Sequence, residues 1–181
     1  TFDRLLGAMH LPALGELRLD DSYVPIELQR WSEESAPGAD DGATGVRPLT
    51  LAEALAENAH VLLIGPAGTG KSALLRWHAI QSARAVVEAG RRVLLAEGGP
   101  PPLPVYVPLT AIPAHQSIEA YAEAILGRAG FEGAGAFLDT HLSSGRTVLL
   151  FDDLETLPPT ERQAAAERIA DLVARYPANR V

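Results

Sequence analysis

The stretch His60-Val61-Leu62-Leu63-Ile64-Gly65-Pro66-Ala67-Gly68-Thr69-Gly70-Lys71-Ser72 decides how the chain is read. Its first five residues form a short apolar, β-branched run with the length and composition of a buried parallel strand. Its last eight fit the pattern G-x-x-x-x-G-K-[ST], in which backbone N–H groups of a glycine loop cradle phosphates. At ordinary residue frequencies the pattern arises by chance in roughly one per cent or less of chains this long. Lys71 is the only lysine among 15 basic residues. Its compact charge on a flexible stem can reach between β- and γ-phosphates, whereas arginine is a rigid planar fork.

Downstream, apolar positions 74, 75, 79, 80, 83, 86 and 87 recur at helical spacing, and Gly90 suits a left-handed C-terminal cap. Strand, glycine loop and helix form the setting that the motif requires. The helix N-terminus turns unpaired N–H groups and a positive dipole end toward an anion. The candidate nucleotide-contacting residues are therefore Gly65, Pro66, Ala67, Gly68, Thr69, Gly70, Lys71, Ser72 and Ala73.

A second segment, Thr147-Val148-Leu149-Leu150-Phe151-Asp152-Asp153-Leu154-Glu155, is an apolar run that ends abruptly in carboxylates. It reads as a buried strand delivering acid to the carboxyl edge of a sheet, where ligands of open α/β sheets gather. Magnesium favours hard oxygen ligands and keeps several waters, so one or two carboxylates beside a phosphate suffice. Ser72 and Asp152 are the candidate magnesium ligands.

The bulk properties narrow the choice. A formal charge of −8 argues against a general nucleic-acid binder, which carries a basic face. The absence of cysteine excludes a disulfide framework and thiolate metal sites and fits a cytoplasmic protein. The five histidines have no metal-ligand spacing. The longest apolar runs are strand-sized, too short to span a membrane. The chain starts at Thr1 with no visible signal peptide, and reads as an excerpt of a longer protein.

Residues 1–31 read as a linker or helical lead-in, with short extended segments where apolar and polar residues alternate at 17–19 and 23–28. Residues 32–48 are small, acidic and rich in Gly and Pro, which predicts a flexible loop. Residues 49–181 form the main domain. Its helices are expected after the capping box Thr50-Leu51-Ala52-Glu53, over Ser117 to Gly127, over Ala134 to His141, and from a cap at Thr160 to about Tyr176. Leu103 to Leu109, flanked by prolines, is expected as a peripheral strand. Smaller features have plain readings: Leu142 to Arg146 a tight turn, Arg76 a salt bridge, Trp77 part of the core. Strands alternating with helices predict an α/β fold with a mainly parallel sheet covered on both faces.

These residues resemble the NACHT family of STAND nucleotide-triphosphatases, which includes animal inflammasome receptors and many bacterial sensors. The likeness runs through Leu19 to Ile26, Leu63 to Arg76, Leu103 to Leu109, Ser144-Gly145-Arg146 with the acidic strand, and Tyr176 to Val181. It implies a P-loop NTPase three-layer α/β/α sandwich, incomplete at the C-terminus, whose next strand lies between the loop strand and the acidic strand. It implies ATP or ADP with Mg²⁺ as ligands and a nucleotide-dependent switch in bacterial defence. Self-association through the NTPase domain, and attached effector and sensor domains outside this chain, are implied too. Direct nucleic-acid or membrane binding is not. Lys71 would act catalytically on the phosphates, with Glu155 or Asp153 positioning water. The family's second motif usually reads aspartate, glycine, any residue, then two acids. Here it is Asp152-Asp153-Leu154-Glu155-Thr156, so hydrolysis is expected to be slow. Rival readings are an AAA-type motor or loader ATPase, a small-molecule kinase, and a non-hydrolysing nucleotide-binding scaffold.

Overall fold

The computed structural model describes residues 9–11, 15–17, 23–30, 47–92 and 101–181. The expected loop over 32–48 therefore lies outside the described residues except at its end. The elements are strands β1 (Met9–Leu11) and β2 (Gly15–Leu17), helices α1 (Leu51–Glu57) and α2 (Lys71–Arg92), strand β3 (Leu103–Pro108), helices α3 (Ile118–Arg128) and α4 (Ala134–Ser143), strand β4 (Thr147–Asp152) and helix α5 (Pro159–Arg175). No helix among the described residues is long and apolar enough to cross a membrane.

The fold is mixed α/β, and β3 and β4 are its centre. They pair in parallel, with Val105 opposite Leu149, Tyr106 opposite Leu150 and Pro108 opposite Asp152. Successive strand residues point to opposite faces, and both faces are covered. Val107 and Leu149 pack with Ile118, Tyr121, Leu138, Leu142, Ala165 and Leu172 from α3, α4 and α5. Val148 and Leu150 pack on the other face with Leu51 and Leu55 of α1 and Leu74, Leu75 and Ala79 of α2. A strand covered on both sides has to be apolar at every position, which is why β4 shows no alternation. In β3 the Leu103 N–H bonds the Arg146 carbonyl, so the even positions face away from β4. Pro104 and Pro108 fall on that outer edge, where a missing N–H costs the ladder nothing.

The helix starts follow local chemistry. Thr50 and Glu53 form the expected reciprocal capping box, and Ser117 accepts the Ala120 N–H at the start of α3. Elsewhere the details differ from expectation. α5 begins with Pro159 in its first turn and has no side-chain cap, so the prolines rather than Thr160 set its start. α2 runs through Gly90 to Arg92, and Gly90 does not end it. No helix occurs among the described residues before Leu51. A short antiparallel pair, β1 with β2, stands there instead, followed by residues 23–30 with a bridge from Leu28 to Leu49.

The largest departure concerns His60 to Ile64, expected as a buried strand. The segment is not part of a sheet, and Leu62 and Ile64 are 77% and 73% exposed. Among the described residues its backbone bonds lie at its start, where Val61 N–H bonds the Val181 carbonyl and Val181 N–H bonds the carbonyl of the adjoining Ala59. Arg180 in turn bridges β4 in parallel at Val148. Residues 180 and 181 thus lie between the 59–61 segment and β4. Past them a cleft of about 490 Å³ separates Leu62, Leu63 and Ile64 from Leu150, Phe151 and Asp152. Residues 62–64 have no backbone partner among the described residues, which is why the apolar run is not a strand.

The turn between α4 and β4 is tight, as its sequence indicates. Gly145 adopts φ +67°, and a Cβ there would lie 2.6 Å from Ala178 Cβ and 3.0 Å from the Ala178 carbonyl oxygen. Neither atom belongs to a flexible side chain, so strain and clash add. Gly145→Ala is expected to destabilise the protein by about 2 kcal/mol in urea unfolding; an unchanged midpoint would contradict this packing.

Candidate functional site

The loop between Ile64 and α2 owes its shape to two glycines with positive φ, Gly68 at +82° and Gly70 at +87°. An L side chain is strained at such angles. Thr69 closes the turn by donating its hydroxyl to the Pro66 carbonyl at 2.9 Å. α2 then starts at Lys71, with Leu74 N–H bonding the Gly70 carbonyl at 2.8 Å. The N–H groups of Gly68, Gly70, Lys71, Ser72 and Ala73 make no hydrogen bond within the described residues. A cluster of free donors at a helix start favours an anion.

Lys71 lies folded back over this loop. Its Nζ donates to the Gly65 carbonyl at 2.8 Å and the Pro66 carbonyl at 3.1 Å, and it pairs with Glu155 Oε1 at 3.0 Å. Glu155 is held below the usual carboxylate range, first by its own backbone N–H and then by Lys71. Its side chain is 56% exposed, so the pair adds little to stability.

The second centre is Asp152, the last residue of β4 and only 5% exposed. Oδ1 accepts from Ser72 Oγ at 2.9 Å and from the Asp153 N–H at 2.9 Å. Oδ2 accepts from the Tyr106 hydroxyl at 2.6 Å. That phenol in turn accepts from Arg76 Nε at 2.8 Å. Burial, and then the bond to Asp152, push the Tyr106 phenol well above its ordinary range, so it stays protonated. The bond from Arg76 to the phenol, ahead of the charges of Asp152 and Asp153, raises Arg76.

The sequence-derived candidates are partly brought together. Lys71, Ser72, Asp152 and Glu155 meet at the carboxyl end of β4, and Lys71, Asp152, Asp153 and Glu155 line the cleft. The Asp153 carboxylate accepts a long 3.4 Å contact from Thr110 Oγ1. Thr156, where the resemblance puts a second acid, donates its hydroxyl to the Asp153 carbonyl at 2.8 Å and closes a helical turn. Gly65, Pro66, Ala67, Gly68 and Thr69 are exposed along the loop, and Ala73 is half-buried on α2.

Asp153 adopts φ +66° and is the one described non-glycine residue with positive φ. Asp tolerates this region better than most residues, and glycine occupies it without cost. Asp153→Gly is expected to stabilise the protein by up to about 1 kcal/mol in thermal or urea unfolding; a loss of stability would show that its carboxylate carries more than its backbone strain.

Some of the surroundings were not legible as functional. Arg76, expected in a salt bridge, bonds a phenol. The spacing of four residues from Ser72 was the available signal, because it puts both on one helix face. Tyr106 carried no such signal. Trp77 stacks on Tyr23, ring centroids 4.6 Å apart, which fastens the 23–30 segment to α2. Ile26 of that segment sits against Gly70, where a Cβ would lie 2.6 Å from Ile26 Cδ1. A second hollow of about 690 Å³ opens between residues 26–30 and the loop. His78 is half-buried, and burial holds its imidazole below the ordinary range. Compared with known protein families, curated proteins and solved structures, the chain matches none.

Proposed function

We propose that the chain is a nucleoside-triphosphate-binding module of the phosphate-loop type, a three-layer α/β/α sandwich similar to the NACHT class of signalling NTPases. The observation that carries this reading is the contact between Ser72 and Asp152, 80 residues apart in sequence and 2.9 Å apart in space. It joins two sequence signals, a glycine loop and an acidic strand end, at the two residues expected to share a magnesium ion. Chance similarity to either motif gives no reason for the Ser72 hydroxyl at the start of α2 to meet a buried carboxylate.

The donor chemistry fits magnesium. A hydroxyl and a carboxylate are hard oxygen ligands. No group of three or more His, Cys, Asp or Glu able to hold a metal exists among the described residues. A cation at Ser72 and Asp152 would thus take its other ligands from water and phosphate, as magnesium does. When bound, magnesium supplies positive charge against the β- and γ-phosphoryl oxygens. Lys71 donates its ammonium hydrogen bonds to the same phosphate oxygens in place of the Gly65 and Pro66 carbonyls. The loop N–H groups from Gly68 to Ala73 hold the phosphate chain. Glu155, released from Lys71, orients the water that cleaves the β–γ anhydride.

On this reading the nucleotide is ATP or ADP, hydrolysis is slow, and the bound nucleotide sets the state of a self-associating cytoplasmic switch. Slow turnover follows from Thr156 closing a turn where a second acid would stand. The same feature favours one alternative, a scaffold that binds nucleotide without cleaving it.

The test is thermal unfolding of the chain with ATP, ADP or GTP, with and without Mg²⁺, beside a phosphate-release assay. A ligand at a hundred times its dissociation constant stabilises the native state by about 2.7 kcal/mol. A magnesium-dependent upward shift with ATP supports the reading, and phosphate release separates the switch from the scaffold. No shift with any nucleotide overturns both.

A further inference from the structure

Arg76, Tyr106 and Asp152 form a directed hydrogen-bond chain in which each donor has one destination. Arg76 carries only donors, so its Nε–H must give to the phenol oxygen at 2.8 Å. The phenol has one proton, and the only partner described for it is Asp152 Oδ2 at 2.6 Å. Asp152 Oδ2 is thereby committed to Tyr106, while Oδ1 faces Ser72 and the Asp153 N–H. The carboxylate is fixed in plane and rotation by groups from three elements: α2, β3 and the turn after β4. Tyr106 belongs to neither the glycine loop nor the acidic strand. It reaches Asp152 because β3 and β4 run parallel with Pro108 opposite Asp152, and because Tyr106 faces α2.

We propose that Tyr106 is a positioning residue for magnesium at the nucleotide site, holding Asp152 with Oδ1 turned toward Ser72, and that Arg76 fixes the phenol for that task. The proposal rests on the nucleotide reading given above. Hydrogen-bond partners that orient a metal-ligating carboxylate typically change metal affinity by about 10–100-fold when removed. Tyr106→Phe keeps the ring that packs against α2 and deletes only the hydroxyl. Arg76 retains its stem and its place over the ring, with Cζ 5.6 Å from the centroid.

The experiment titrates Mg²⁺ against the full chain at fixed ATP concentration, following the melting temperature, for wild type and Tyr106→Phe. ATP alone in EDTA provides the metal-free baseline. Expected is a Tyr106→Phe protein with the wild-type ATP response in EDTA and a magnesium midpoint about 10–100-fold higher. Mn²⁺ binding in the presence of ATP, followed by paramagnetic resonance, should weaken in parallel. Equal magnesium midpoints in the two proteins overturn the positioning role and leave the nucleotide reading intact. Loss of the ATP response in EDTA as well overturns it in another way, since the hydroxyl would then hold the whole pocket. A wild-type protein with no nucleotide response overturns the underlying reading and this proposal with it.

Discussion

Lys71→Ala should melt within a degree or two of wild type when no ligand is present, yet lose about half or more of the stabilisation that nucleotide confers. The two halves of this result have separate causes. In the free protein the ammonium bonds two carbonyls of the exposed residues Gly65 and Pro66 and pairs with a Glu155 side chain that is 56% exposed. Water can replace all three, and exposed ion pairs contribute about 0–1 kcal/mol. With a nucleotide bound, the same ammonium faces phosphate oxygens, and charge-assisted bonds of this kind are worth about 1.5–3 kcal/mol. Affinity should fall by one to two orders of magnitude or more. At a nucleotide concentration that gives wild type about 2.7 kcal/mol, the variant should gain about 0.4–1.4 kcal/mol or less. Differential scanning fluorimetry with ATP and Mg²⁺ reads both halves at once. A variant that keeps the full nucleotide shift would remove Lys71 from the site.

The largest effect on folding should come from a residue that has no part in the proposed chemistry. Asn179→Ala is expected to cost about 3–5 kcal/mol, a substantial share of the 5–15 kcal/mol typical of a domain. Asn179 is 1% exposed and uses its whole hydrogen-bonding capacity. Oδ1 accepts from Thr147 N–H at 3.0 Å and Thr147 Oγ1 at 2.6 Å. Nδ2 donates to the Leu142 carbonyl at 2.8 Å and the Tyr176 carbonyl at 3.0 Å. One side chain thus ties the first residue of β4 to the end of α4 and the residue that follows α5. Removing it leaves the N–H and hydroxyl of Thr147, itself 1% exposed, without partners. Each buried orphan costs about 1–3 kcal/mol. The two carbonyls suffer less, because Gly145 N–H also bonds Leu142 and Asn179 N–H also bonds Tyr176. Urea unfolding should therefore show a large drop in midpoint with an unchanged slope. A loss below about 1 kcal/mol would mean that water takes the vacated place.

Effects of this kind explain why the site was easier to foresee than its surroundings. The glycine loop was readable because its chemistry is local: positive φ at Gly68 and Gly70, and free N–H groups where a helix begins, follow from a few adjacent residues. The acidic end of β4 was readable for the same reason. Asn179 and Tyr106 were not, since their importance lies in partners 30 to 46 residues away. Arg76 was noticed but expected in a salt bridge rather than on a phenol, because helical spacing puts it beside Ser72 without saying what faces that side. The segment from His60 to Ile64 shows the opposite failure. Its composition suits a strand, but a strand also needs neighbours, and residues 62–64 have none among the described residues.

What the chain's sequence determined by itself was the set of local conformations and the chemistry at their ends: the capping box at Thr50, the loop from Gly65 to Gly70, the start of α2 at Lys71, and an apolar β4 ending in Asp152. Tertiary structure alone decided that Tyr106 joins Ser72 on one buried carboxylate, that Glu155 engages Lys71, and that Asn179 secures the start of β4. The physical reason is range. Backbone preferences and capping act over three or four residues, whereas a hydrogen bond across the sheet exists only once both helical layers have closed on β3 and β4.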